Sequence, residues 1–388
     1  MYQFDAERIQ SKRNVHLFYF CILLLIGTGL VTLYSASYAF ARRFFYDGHY
    51  FITRQLVFGG IGMILFIFFC HVNLEKFRKI IYIFVGIAFC LCLLTLVSGI
   101  GIERYGASRW IKIGSFSYQP SEMVKVVLPL YLAHLFDKKE NNLDKSGSGI
   151  FTPVLVTAIF FTLIYIQNNF STAVFILFNA LIIFYLAGVK YRYFIAAITM
   201  VIPVSVLLIF TKEHRVRRLV SFIRPQWDPL GAGFQVNASR DAIISGGLFG
   251  KGIGEGTRKI ASIPEIHSDF IFSAYVEETG FIGILLFYAL FIAFAVLGYR
   301  AAWKCESLFG RLLAAGLTTM IVSQILLNIA VVSGALPATG IPLPFFSAGG
   351  SSLWTTLISA GLIVNIAKKN GISQIKNTIY DVEDEHDA

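Results

Sequence analysis

An all-α bundle of membrane-spanning helices is the predicted fold class, and three observations predict it. Hydrophobic residues make up 56% of the 388 and charged residues only 14%, an apolar share beyond that of soluble globular domains. The apolar residues gather in runs of about 20, the length that carries a helix across a hydrocarbon core of about 30 Å. The residue-by-residue alternation of a membrane β-barrel is missing. One polytopic domain over 1–388 is therefore expected, with no soluble domain, low-complexity tract or strong internal repeat.

Ten spans are predicted, at 17–37, 54–72, 80–98, 121–136, 151–167, 170–188, 191–211, 270–299, 308–333 and 347–367. The first follows Arg8, Lys12 and Arg13 and lacks a small-residue cleavage pattern, so it reads as a retained anchor. Basic residues at 76–79, 138–145, 190–192, 300–311 and 368–369 fall on the same side as the N-terminus, which the positive-inside rule makes cytoplasmic. Both termini are then cytoplasmic, and the 99–120 segment and a large loop at 212–269, between spans 7 and 8, are extracytoplasmic. The 137–149 connector is polar and flexible, and an acidic tail from about 372 to 388 is expected to be disordered. Proline and glycine interrupt the membrane part at Pro120, Pro129 and 337–344; broken helices at that depth need protein or a wet cavity around them. The net charge of +10 is accounted for by cytoplasmic loops and a basic external loop, so no nucleic-acid partner is implied. Cys21, Cys70, Cys90, Cys92 and Cys305 lie in or beside apolar runs, where they read as small packed hydrophobes without disulfides.

The polar, glycine-dense stretch 225–280 is where chemistry is expected. It places Asp269 immediately before the apolar run Phe270-Ile271-Phe272, and an ionisable group at such a junction is a functional candidate. The plainer reading is a helix N-cap, a position Asp favours. Asp269, Ser273 and Glu277 follow one helical stripe, with Glu278 turned away from it. The segment 246–259 carries Lys251, Arg258 and Lys259 among glycines without Walker or dinucleotide spacing, so it is either an anion-binding nest or a cluster of turns. His267 and Asp269 lack the further ligands of a metal set, and no G-x-S-x-G elbow supports a hydrolase. At the mouth of the fourth span, Glu122 and Lys125 share a helix face and can neutralise each other; alternatively Arg109 and Lys125 bind an anionic headgroup.

Five blocks, G-A-S-R-W-I-K-I-G with Q-P-S-E-M-V-K (106–125), D-P-L-G-A-G-F-Q-V (228–236), S-G-G-L-F-G-K-G-I-G (245–254), I-P-E-I-H-S-D-F-I-F with E-E-T-G-F-I-G (263–283) and L-P-A-T-G-I-P-L-P-F-F-S-A-G-G-S-S (336–352), resemble the SEDS family of shape, elongation, division and sporulation proteins. These are the ten-span RodA and FtsW proteins that polymerise peptidoglycan from lipid II. F-Q-V-N and F-F-S-A-G-G-S-S are closer to the division type, FtsW. The resemblance implies a glycosyltransferase at the outer face of the cytoplasmic (inner) membrane, with Asp269 catalytic. Arg109, Lys125, Glu122, Lys251, Arg258, Glu277 and Ser351 are the candidate substrate-binding residues. It also implies lipid II as substrate, a class B penicillin-binding protein and other divisome proteins as partners, and room for a divalent cation, Mg or Mn, that no ligand pattern identifies. Where the family commonly has Q-P-D-L-G-T-A, this chain has Gln167-Asn168-Asn169-Phe170-Ser171-Thr172-Ala173, so Asn169 replaces a carboxylate. A lipid II flippase and a non-catalytic division scaffold remain as alternatives.

Overall fold

A computed structural model describes residues 2–97, 99–104, 107–114, 116–138, 148–211, 213–224, 232–256 and 265–386. Every predicted span falls on a helix: α1 (Tyr2–Phe45), α2 (Tyr50–His71), α4 (Ile81–Leu94), α5 (Pro120–Lys138), α6 (Ser148–Ile166), α7 (Phe170–Leu186), α8 (Tyr191–Phe210), α11 (Ile271–Trp303), α12 (Leu308–Val332) and α13 (Gly350–His386). A short α3 (Leu74–Arg78), capped by the Asn73 side chain on two backbone N–H groups, turns the chain between α2 and α4. Among the described residues six helices are long and apolar enough to cross a bilayer, which makes this a multi-pass membrane protein.

Burial sorts the bundle into inner and outer helices. In α13 the most apolar stretch is 72% buried and in α12 61%, against 17% in α2, whose apolar side chains face outward. The fourth predicted span, α5, is buried on nearly all faces despite its charges, packing against α4, α7, α12 and α13. Pro120 opens it in the first turn, where a backbone N–H would have no intrahelical acceptor to lose.

One feature departs from the expected all-α bundle, and two more add helix where a loop and a disordered tail were expected. The segment after α4 forms a three-stranded antiparallel sheet, β1 (Gly101–Arg104), β2 (Ala107–Ile113) and β3 (Phe116–Tyr118), in the order β1-β2-β3. Ala107 and Ile111 of β2 are buried against the bundle, and between them the ladder skips Arg109, a bulge that frees this residue from the strand pairing and leaves it lining a cavity of the bundle. Within the 212–269 loop lie two helices, α9 (Glu213–Ile223) and α10 (Ala232–Gly246). The second packs on α11 and is tied to the end of α12, where the Ser239 hydroxyl donates to the Val332 carbonyl at 2.9 Å. Finally, α13 continues as helix to His386 through the acidic segment expected to be disordered; a helix already nucleated by an apolar span extends at little cost per residue.

The break between α12 and α13 is supported by side-chain amides from the surrounding helices. Gln324 donates to the Pro342 carbonyl (2.8 Å), Asn328 to Ile341 (3.0 Å) and Gln55 to Ser347 (3.1 Å). Carbonyls with no helical partner are thus satisfied by protein, the condition under which irregular backbone survives at membrane depth.

Candidate active site

Asp269 lies two residues before α11, but it does not cap that helix. Phe270 occupies the cap position without a side-chain hydrogen bond, so the N-cap reading fails. The carboxylate instead accepts from the Ser268 hydroxyl at 3.0 Å. Its backbone is clamped to α12 and to the 337–349 segment: Asn328 of α12 donates to the Asp269 carbonyl (2.9 Å), Ser347 to the Ser268 carbonyl (2.6 Å), and the Ala348 N–H to the His267 carbonyl (2.8 Å). Facing the carboxylate is Gly340 at φ +73°, where a Cβ would stand 3.6 Å from Oδ2. Burial raises the Asp269 carboxyl above the ordinary carboxylate range, while the Ser268 hydroxyl and the charges of Arg218 and Arg109 pull it back down. A carboxyl with raised proton affinity, held on rigid backbone, has the character of a general base.

His267 is packed between Phe51 and Phe40, with ring centroids at 4.1 and 5.2 Å. Burial lowers it to about 4, so at neutral pH it is uncharged and adds no cation to the site.

Three arginines converge on one cavity, and two of them, Arg218 and Arg109, are near enough to Asp269 to act on its carboxyl. Arg109, from β2, donates to the Asn168 carbonyl; Arg218 donates to the Ala338 carbonyl at 3.2 Å; Arg215 donates to the Tyr165 hydroxyl at 3.1 Å, its guanidinium over the rings of Tyr165 and Phe170 at 4.7 and 5.1 Å. Burial first, then the neighbouring charges of Arg218 and Arg215, lowers Arg109 to about 10, still protonated at neutral pH. Like charges gathered this way call for an anion. All three line a cavity of about 410 Å³. The arginines meet it near the start of α7, and its wall follows that helix through Val174 to Phe178, about 12 Å further along at 1.5 Å per residue. Phe178 is 49% exposed on the outside of the bundle, so the apolar end of the cavity approaches the lipid. Asp269 is not part of the lining; it meets the cavity wall at Gly340, next to the lining residues Pro337, Ala338 and Thr339.

Arg215 and Arg218 are absent from the candidate residues read from the sequence. Their signal is the run H-R-V-R-R at 214–218, in which Arg215, Arg218 and Leu219 recur at helical spacing and all line the cavity. Arg217 points away, 73% exposed, and pairs with Glu213 at 2.7 Å. Asn169 also lines the cavity, with its amide 3.4 Å from the Ser121 hydroxyl.

The other expected site residues lie elsewhere. Lys125 is fully enclosed, its Nζ 2.7 Å from Glu122 Oε1 and 3.2 Å from Gln324 Oε1, with Phe175 beneath it at 5.5 Å. It is the neutralised ion pair of the plainer reading, one residue layer from the large cavity through Phe175, which lines it. Ser351, in the first turn of α13, accepts from the Gln119 N–H (3.1 Å) and positions the start of α5. Glu277 and Lys251 pair with each other at 2.8 Å, Glu277 wholly buried. Glu278 turns to the opposite side, accepting from the Ser35 hydroxyl of α1 at 2.6 Å.

The glycine run is a backbone joint. Among 250–252 the N–H groups are spent within the chain: Gly250 on Gly246 (2.9 Å), Lys251 on Glu277 (3.0 Å) and Gly252 on Glu278 (3.0 Å). They are not turned to an anion, so 250–252 form no nest, and Lys259 of that reading lies outside the described residues. A Cβ on Gly250 (φ +78°) would lie 2.1 Å from the Glu278 carbonyl oxygen, so only glycine permits this approach, at the point where α11 kinks on Gly280. Arg258 lies outside the described residues.

A divalent cation asks for several convergent oxygens. Among the described residues no three His, Cys, Asp or Glu side chains converge, and Asp269 is flanked by guanidiniums and one hydroxyl. That donor set does not fit a protein-held divalent site.

Comparison with known proteins adds an independent line. A family model, FtsW/RodA/SpoVE cell cycle protein, matches residues 15–371. Among similar proteins, a probable peptidoglycan glycosyltransferase FtsW of Geobacter sp. (strain M18) is 38% identical over 348 residues, 89% of this chain and 95% of that one. The stage V sporulation protein E of Bacillus subtilis (strain 168) is 36% identical over 346 residues, 89% of this chain and 94% of that one. Among solved structures, a chain from a peptidoglycan synthase complex that coordinates polymerization and crosslinking superposes with a TM-score of 0.75, at 26% identity over 91% of this chain and 97% of that one. The rod shape determining protein RodA of Thermus thermophilus gives a TM-score of 0.67, at 25% identity over 91% and 96%.

Proposed function

The chain belongs to the FtsW/RodA/SpoVE cell cycle protein family, and from that premise we propose that it is a peptidoglycan glycosyltransferase of the FtsW type, polymerising lipid II at the outer face of the inner membrane. The observation that carries the reading is the junction of a carboxylate of raised proton affinity with a three-arginine cavity that turns apolar along α7. The arginines suit a pyrophosphate, and the apolar wall suits the polyprenyl chain attached to it. Asp269 takes the proton of the acceptor's 4-hydroxyl as that oxygen bonds to the donor's anomeric carbon. The bond from that carbon to the pyrophosphate oxygen breaks, and its electron pair leaves with undecaprenyl pyrophosphate. Arg109, Arg215 and Arg218, fixed in advance, stabilise the charge that develops there.

Ten spans with both termini in the cytoplasm would set this site on the extracytoplasmic side. A class B penicillin-binding protein is the expected partner; the similar chain from a complex that couples polymerization to crosslinking supports that expectation. The test is polymerisation of labelled lipid II by the detergent-solubilised protein, alone and with its partner. Polymer in micelles supports the reading, since no translocation between two aqueous sides is available there. Transfer of lipid II across vesicles with no polymer under any condition would replace it with a flippase.

A further inference from the structure

We propose that Thr339 is a substrate-binding residue of this site, its hydroxyl directed at the phosphate that leaves the donor. The inference rests on the glycosyltransferase reading and assigns one side of the reaction to the cavity. Thr339 lines the cavity with Arg109 and Arg218, and its Oγ1 is buried without a hydrogen-bond partner. The Arg109 Nε–H is in the same condition. Two polar groups of one cavity wall, enclosed and unsatisfied, are costly unless a ligand completes them.

The hydroxyl is also held in place. Arg218 fixes the carbonyl of Ala338 on one side (3.2 Å), and Asn328 fixes the carbonyl of Ile341 on the other (3.0 Å). Between them Gly340, at φ +73°, brings the same backbone against the Asp269 carboxylate. Thr339 therefore stands at the seam between the base and the guanidiniums.

That position distinguishes donor from acceptor. The attacking oxygen must touch both the base and the anomeric carbon at about 3–3.5 Å, and the leaving phosphate is bonded to that same carbon. The donor's pyrophosphate is thus the one held near Asp269, while the acceptor's own pyrophosphate lies a disaccharide away. A cavity whose Arg218 and Arg109 act on Asp269 and whose wall abuts it holds the donor, and Thr339 completes the donor's phosphate shell.

The test compares wild type, Thr339→Val and Thr339→Ser in two measurements: polymerisation of fluorescent lipid II, and binding of undecaprenyl pyrophosphate to the purified full chain. Valine keeps the shape and removes only the hydroxyl. It should lower kcat/KM about tenfold and weaken undecaprenyl pyrophosphate binding by a similar factor, as for the loss of a hydrogen bond to a charged group, with the thermal midpoint unchanged. Serine should restore both within about twofold. Equal values for wild type and Thr339→Val overturn the proposal, as do equal losses in the valine and serine variants, which would show a packing role. If wild type makes no polymer with its partner, the glycosyltransferase reading fails. Undecaprenyl pyrophosphate binding that is unaffected by Thr339→Val would be the separate failure of this one.

Discussion

Lys251 is the residue whose role changes most between sequence and structure, and its removal distinguishes the two. In the sequence it sits among glycines and suggests phosphate binding; in the fold its ammonium lies 2.8 Å from Glu277, the lysine 29% and the glutamate 0% exposed. Lys251→Met takes the ammonium from beside a buried carboxylate, a change that costs roughly 3–5 kcal/mol for a fully buried pair. With the lysine partly solvated, the low end applies, about 3 kcal/mol. At roughly 2 °C per kcal/mol for a large chain, the thermal midpoint in detergent should fall by about 6 °C. Adding Glu277→Gln removes the buried negative charge, so the double variant should recover at least half of that loss. Below the unfolding range, KM for lipid II should stay near the wild-type value. An unchanged midpoint together with a raised KM would refute this assignment and return Lys251 to the substrate.

Two further outcomes follow from the arginine cavity and the carboxylate. Arg218→Ala and Arg109→Ala should each lower kcat/KM about 10- to 100-fold, the range for hydrogen bonds to a charged group, while Lys138→Ala at the far end of α5 leaves it unchanged; steady-state kinetics with labelled lipid II decide this. Because burial raises the Asp269 carboxyl and the base works ionised, the acid limb of kcat/KM against pH should lie above the ordinary carboxylate range. The same shift has a stability consequence. A raised carboxyl favours the folded state below its unfolded value and loses that contribution as pH rises through the folded one, so Asp269→Asn should unfold no lower than wild type at pH 7, with the difference closing in acid.

The helices were legible because apolar runs of helical length leave few alternatives: each predicted span falls on a helix, and among the described residues six of these are long and apolar enough to cross a bilayer. The sheet after α4 was not legible, since its longest strand has seven residues inside a polar segment; the alternation around Trp110-Ile111-Lys112 was its only trace. Asp269 could be picked out by its place before an apolar run, and Arg109 by chemistry. The cavity could not, because it is assembled from segments near 109, 168–178, 215–219 and 327–339, brought together only by the packing of α7, α9 and α12 around β2. The glycine run misled for a related reason. Spacing shows that N–H groups are available for an anion, but only the fold shows that residues 277 and 278 already use them.

The central claim is that Asp269 is the base of a polymerising site and not a structural carboxylate. The direct measurement is glycan polymer formed from labelled lipid II by purified Asp269→Asn with its partner, read beside undecaprenyl pyrophosphate binding by the same sample. The amide keeps the size and an oxygen for the Ser268 hydroxyl but cannot take a proton. Polymer should fall at least a hundredfold, with undecaprenyl pyrophosphate binding within a few-fold of wild type. Wild-type levels of polymer from that variant would contradict the account.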